Sequence, residues 1–379
     1  MDLFGELEST LQSSGPEAAL DLLVRHLEQE RRHSEWFNAR LIEQRHRLGL
    51  PVSEPPRDLP EHLRRTYDSA LVEAARQAGA RLIEDGQIAR AWTYFRAVGE
   101  SAPVAEAIER LTPEQADDEV LAVALQERVH PRKGFELVLA NHGTCRAITV
   151  FSQYPDPATQ EDCLLLLTRT LHEELRQNLA RVIARREEAP PADASIPDLV
   201  AGRDWLFGEY DYYVDTSHLI SVIRYSLESE NRETIRMARE MAEYGKHLSV
   251  SFRHQGEPPF ENFHEDHSLY LDALLGIETD RAVAHFRRKA DATDPETMGT
   301  FPAQVLVRLL LRVDRPAEAV EVFEQFLSKS DPNYLACPDY SQLCRLAGDY
   351  EKLRQLARAR QDPVAFLEAA LAGASQRTS

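Results

Sequence analysis

Basic residues are in short supply. Lys and Arg number 44 against 63 Asp and Glu, which leaves a formal charge of −19 over 379 residues. Affinity for phosphate backbones comes mainly from clustered cations that release counterions. The deficit therefore argues against a nucleic-acid-binding face, and equally against a polybasic membrane surface. Cysteine is scarce too: Cys145, Cys163, Cys337 and Cys344 make no disulfide framework, and no pair has the spacing of a zinc knuckle. Reduced thiols in a cytoplasmic protein are the expectation. Long apolar runs are missing as well. Leu164 to Leu167 is soon followed by Arg169, and no run comes near the roughly eighteen apolar residues of a membrane span. The start, Met1-Asp2-Leu3-Phe4-Gly5-Glu6, has neither the charge nor the apolar run of a signal peptide. No glycine-rich loop has the spacing that cradles phosphates.

What is present is helix. Apolar residues make up 43% of the chain, enough for a core. Thr112-Pro113-Glu114-Gln115 combines a capping hydroxyl, a proline at the first helical position and a glutamine able to reach back to the cap. Asp156-Pro157 and Ser14-Gly15-Pro16-Glu17 are similar starts. Leu164, Leu167, Leu171, Leu175 and Leu179 form one helical stripe, and Val320, Phe323 and Leu327 another. Ala147 to Phe151 suits a strand on propensity, yet its neighbours read as helix. The expected fold class is all-α, with no sheet.

Prolines mark the joints, because proline removes a backbone donor and disfavours helix in the residue before it. Pro51, Pro55, Pro56 and Pro60 close an N-terminal helical pair over residues 1–50. Pro190, Pro191 and Pro197 read as a long surface loop, and Pro258-Pro259 as a third break. The expected organisation is the N-terminal pair packed on an array, first helical repeats over 58–190, and second repeats over 198–379 continuous with the first.

Aligning the segments on small residues brings out a periodicity. Gly79, Ala91 and Pro103 are spaced by twelve and twelve, with Gly86 in the turn and Phe95 four residues past Ala91. Asp314-Arg315-Pro316-Ala317-Glu318-Ala319 leads to Phe323 in the same way, and Leu353 follows Ala319 by 34 residues. These segments resemble tetratricopeptide repeats, helix-turn-helix units of about 34 residues. The resemblance is specific at about 72–105 and 299–360. It is loose at about 128–292, where Ala147 with Phe151, Thr234 with Ala238 and Ala282 with Phe286 keep the small residue and its partner, and absent from the first fifty residues. It implies a right-handed α-solenoid of helical hairpins whose groove holds a protein, a peptide or a small ligand: a binding or scaffold function.

A second reading is an enzyme on the same scaffold. Asn141-His142-Gly143-Thr144 falls at an expected hairpin turn, while Asp215-Thr216-Ser217-His218 and Phe263-His264-Glu265-Asp266-His267 fall at helix starts. His264 and His267 are three apart and share a helical face. With His142, His218 and a carboxylate from Asp215, Glu265 or Asp266, they would suit a divalent zinc, manganese or iron ion. Against this, the two histidines lack metalloprotease spacing, His172-Glu173-Glu174-Leu175-Arg176 has arginine where the second histidine belongs, and 13 histidines bring some proximity by chance. Capping alone also puts Asp, Ser and Thr at helix starts.

Two further sets belong to ligand binding. Trp205, Tyr212 and Tyr213, with Phe207 and Tyr210, would either wall a pocket or pack between helices. Arg146 and Arg224, each near a flagged histidine, would clamp a carboxylate or phosphate, because a guanidinium donates two parallel hydrogen bonds. Cys145 near His142 suggests a thiol nucleophile, but no oxyanion-forming loop accompanies it.

Overall fold

The structure is a computed structural model that describes residues 2–53, 59–294 and 299–376. Pro55, Pro56 and the expected boundary at residue 58 lie outside the described residues. Within them the chain is all-helical, with no strand and one isolated bridge between Gln255 and Asn262. It forms two compact units, Met1–Gln160 and Glu161–Ser379. The division falls well ahead of the Pro190–Pro197 loop.

The first unit holds α1 (Leu3–Ser14), α2 (Pro16–Gln29), α3 (His33–Arg47), α4 (Glu61–Glu84), α5 (Ile88–Ala97), α6 (Ala102–Glu109), α7 (Asp118–Leu125) and α8 (Pro131–Phe151). Three helices therefore precede residue 50, where a pair is expected. The break at Gly15, whose φ is 86°, falls at the start read at Ser14–Glu17; the extra one comes at Arg31, whose φ is 54°. Consecutive helices from α1 to α5 pack on one another. Between α4 and α5 the contact is close enough to demand glycine: a Cβ on Gly79 would stand 2.5 Å from Cε2 of Phe95. Leu82, Ala91, Phe95, Val104 and Ile108 are buried in the core beside it. Thr112 and Gln115 form their capping box, but over a single 3-10 turn. Asp117, accepting from the Val120 N–H at 2.8 Å, starts α7 instead.

The last helix of this unit is a hairpin. Gly143 sits at φ 73° between two helical arms. A straight helix would separate positions 135 and 151 by about 24 Å, yet the rings of Phe135 and Phe151 lie 6.0 Å apart. The turn expected at Asn141–Thr144 is therefore real, and Ala147 to Phe151 is helical.

The second unit holds α9 (Gln160–Ile183, all but its first residue), α10 (Ile196–Val200), α11 (Thr216–Ser226), α12 (Arg232–His247), α13 (Phe263–Leu274), α14 (Thr279–Ala292), α15 (Phe301–Arg312), α16 (Pro316–Val322), α17 (Tyr340–Leu346), α18 (Tyr350–Ala359) and α19 (Pro363–Gln376). The stripe read from the sequence of α9 is wholly buried, and Ile183 extends it. Each such leucine contributes roughly 1.5–3 kcal/mol by leaving water, enough to fix which face of α9 turns inward. Successive helices from α11 to α14 pack side by side, and α14 packs on α15. Ala282, Phe286, Leu306, Ala319, Phe323 and Leu353 belong to one core. No helix among the described residues is long and apolar enough to cross a membrane.

Candidate functional site

Arg224 stands in the last turn of α11, ahead of the turn that leads into α12. His267 and Tyr270 sit three apart on α13, so they share a face. Val305 and Arg308 repeat that spacing on α15. Between these helices, and walled on one side by the loop that carries His254, Glu257 and Phe260, the second unit forms a half-open cavity of about 530 Å³. Leu227, Glu228, Gln255, Gly256 and Phe301 complete its lining.

The loop is fastened from behind by one buried carboxylate. Asp266 is 1% exposed. Its Oδ2 accepts from the Asn262 N–H at 2.9 Å and from Lys289 at 2.7 Å, while its Oδ1 is 2.7 Å from Nε2 of His285. Lys289 also reaches Glu261 and donates to the Pro259 carbonyl at 2.6 Å. A buried charge is tolerated only when paired and hydrogen-bonded, and Asp266 is so on both oxygens. Its partners come from α14 and from the end of the loop itself.

The two cations of the lining differ in their freedom, Arg224 being exposed and Arg308 half-buried. Arg308 is paired with Glu228 and burial lowers its pKa. Arg224 donates to Nε2 of His254 at 3.1 Å and holds its guanidinium carbon 5.3 Å from the centre of the Phe263 ring. Among the described residues Arg224 meets no carboxylate. Since Nε2 of His254 accepts from an arginine, its proton lies on Nδ1. Burial, then Arg224, pulls the His254 pKa down and keeps the ring neutral.

His267 is neutral for a similar reason. Its Nδ1 donates to the Phe263 carbonyl at 2.7 Å, and its ring stacks 3.9 Å from Phe263 and lies 4.3 Å from Phe260. Burial pulls its pKa to about 3, against the pull of that carbonyl. With Nδ1 spent, Nε2 keeps a lone pair in the wall of the cavity. Burial also raises the Tyr270 phenol to about 12, so it stays protonated.

The other expected residues fall elsewhere. His264 wedges against α12 at Gly245, where a Cβ would overlap the imidazole. Both its ring nitrogens lack a hydrogen-bond partner, and burial pulls its pKa to about 4. Asp215 caps α11, accepting from the Ser217 N–H at 2.8 Å and its hydroxyl at 2.6 Å. His218 is half-buried in the first turn of α11. His142 lies in the first unit. There it lines, with Arg146, a groove of about 910 Å³ between α7 and the two arms of α8.

The expected metal set of His142, Asp215, His218, His264 and His267 is thus not brought together. Among the described residues no group of three or more His, Cys, Asp or Glu side chains is arranged to hold a metal ion. The physical reason is competition: Asp215 is used as a cap, Asp266 is used by Lys289 and His285, and the two imidazoles of α13 turn to different neighbours.

The aromatic stretch packs locally. Trp205 donates to Glu187 at 3.1 Å beneath Arg186. Tyr213 donates to the Leu206 carbonyl at 2.7 Å, and Tyr212 lies 4.9 Å from Phe252 while 52% exposed. None of the three lines the cavity.

Of the residues flagged from sequence, Arg224 and His267 therefore share one site, and His142 and Arg146 another. His254, Phe260, Tyr270, Arg308 and the supporting pair His285 and Lys289 were not foreseen. The Pro258-Pro259 break was the one signal that the wall loop existed. Compared with known proteins, the chain matches no family model, no curated protein and no solved structure.

Proposed function

We propose that the chain is a recognition protein built of tetratricopeptide-like helical hairpins, and that its second unit takes up a ligand ending in a carboxylate or phosphate. One observation carries the ligand reading: Arg224, fixed by His254 and the Phe263 face, meets no carboxylate among the described residues at a cavity floored by aromatic rings. A guanidinium so held is preorganised for a planar anion. The repeat kinship and the solenoid arrangement belong to the same proposal. They are supported by the close packing of Gly79 on Phe95, the hairpin at Gly143 and the buried Ala319 and Phe323. A cytoplasmic setting suits four cysteines that form no disulfide with one another.

Thermal unfolding with millimolar phenylacetate or phenyl phosphate tests the ligand reading. At least one should raise the melting temperature, and Arg224→Ala should remove the rise. No rise with either anion, or an equal rise in the variant, would overturn it.

A second reading concerns a protein partner. The groove of the first unit sets Arg128, His142 and Arg146 around Leu121, Leu125, Val138 and Val150. Neither arginine pairs with a carboxylate among the described residues. That combination suits an acidic peptide segment with apolar anchors. A labelled Glu/Leu peptide should bind the full chain, a Lys/Leu peptide should not, and the double variant Arg128→Ala, Arg146→Ala should abolish binding. Equal binding of both peptides would end this reading.

A further inference from the structure

The lining of the second unit's cavity specifies more than a negative charge. We propose that its ligand is a monocarboxylic acid with a flat apolar body and a hydrogen-bond donor, a hydroxyaryl acid being the simplest example. This rests on the anion-binding reading of Arg224 given above.

Charge sets the first restriction. Two arginines face two glutamates in the lining, and Arg308 is already paired with Glu228. Arg224 has no carboxylate partner among the described residues, but Glu257 already balances its charge within the lining, so the cavity tolerates at most one added negative charge. A phosphate monoester carries about −1.5 to −2 near neutral pH and would bring its second charge among Glu228 and Glu257 with no cation left to meet it. Geometry agrees. One nitrogen of Arg224 is engaged with His254 at 3.1 Å and the plane is steadied by Phe263, so the fork keeps donors for both oxygens of a carboxylate.

The body of the ligand is set by Phe260, Tyr270, Phe301 and Val305. Aromatic rings favour an offset or edgewise aromatic partner over a polar one, and about 530 Å³ falls within the range of small-molecule sites.

The donor is called for by His267, whose ring stacks 3.9 Å from the Phe263 ring that Arg224 also covers. Its Nδ1–H is spent on Phe263 at 2.7 Å, which leaves Nε2 able only to accept. Burial holds the ring neutral far below neutral pH, so it does not turn into a donor when a ligand arrives. The complementary group is a hydroxyl or N–H. A second carboxylate there would face the Nε2 lone pair and add a second negative charge beside Glu228 and Glu257, which disfavours dicarboxylates.

Isothermal titration of the full chain with four probes tests this: 4-hydroxyphenylacetate, 4-methoxyphenylacetate, 4-carboxyphenylacetate and 4-hydroxybenzylphosphonate. The hydroxy acid should bind best. Loss of the donor in the methoxy acid should weaken binding roughly five- to tenfold, the worth of one hydrogen bond whose buried acceptor is left unpaired. The dicarboxylate and the phosphonate should bind more weakly still. His267→Phe, which keeps a ring but removes the acceptor, should erase the difference between hydroxy and methoxy acids. If the phosphonate or the dicarboxylate binds as tightly as the hydroxy acid, or if the methoxy acid binds equally in the unaltered chain, the ligand class proposed here is wrong while anion binding stands. If no probe binds, or Arg224→Ala binds all four as the unaltered chain does, the anion-binding reading itself fails.

Discussion

The ammonium of Lys289 lies 2.7 Å from the buried carboxylate of Asp266 and, with the same nitrogen, 2.6 Å from the carbonyl oxygen of Pro259. One ion pair thus joins α13 and α14 to the loop that walls the cavity. Removing Lys289 as Lys289→Met leaves Asp266 with only His285 and the Asn262 N–H. Breaking a buried pair from one side costs on the order of 3 kcal/mol, which urea unfolding would register. Amide exchange at residues 254–260 should speed up in the same variant. Unchanged exchange there would show that the pair does not hold the loop.

Gly245 and His264 make a steric prediction. A methyl group on residue 245 would overlap the imidazole, and overpacking of this kind costs about 1–3 kcal/mol. Gly245→Ala should therefore destabilise the chain, and adding His264→Ala should recover much of the loss because the colliding ring is gone. Simple additivity of the two single variants in chemical denaturation would refute the contact.

The same histidine and its neighbour on α13 predict a dependence on pH. Burial pulls His264 to about 4 and His267 to about 3 from an ordinary value of 6.5. Between those values the unfolded chain binds more protons than the folded one. Their contribution is complete above pH 6.5 and declines as the pH falls towards 4 and then 3. Each pKa unit is worth about 1.4 kcal/mol, so His264 alone should account for a loss on the order of 2–3 kcal/mol by pH 4. Stability measured from pH 7 to 4 should fall less steeply in His264→Met. An identical slope would contradict the buried neutral imidazole.

Gly143 carries a backbone prediction. At φ 73° and ψ −177° it occupies an extended positive-φ region essentially confined to glycine, where a side chain costs about 1–3 kcal/mol. Gly143→Ala should lower the unfolding midpoint accordingly. A neutral effect would mean that the two arms of α8 do not need this turn.

Much of the fold was legible because it depends on local chemistry. The α9 leucines, the break at Gly143 and the small Gly79 opposite Phe95 follow from helical period, glycine φ and close packing, all of which act within a few dozen residues. Where local signals misled, a neighbour had taken over. Thr112 and Gln115 form their capping box but cap one turn, because Asp117 offers a better start to α7. The N-terminal pair became three helices because the chain also breaks at Arg31, a non-glycine residue at φ 54° that carries no sequence signal for a turn. The site was half legible for the same reason. Arg224 and His267 stood out beside unusual neighbours, but their partner Arg308 lies 84 positions beyond Arg224 on a helix that looks like ordinary core. Spacing alone cannot bring such residues together. It also placed His264 and His267 on one face without revealing that Gly245 draws one of them away, so the metal set it suggested was never assembled.

The central claim is that the second unit's cavity holds an acid by Arg224 with its donor group at His267. A crystal structure of the full chain with 4-hydroxyphenylacetate tests it most directly. The carboxylate should lie within hydrogen-bond distance of the Arg224 guanidinium and the hydroxyl within reach of Nε2 of His267, with the ring against Phe260 and Tyr270. A ligand bound in the reverse sense, or density for it only outside this cavity, would contradict the account.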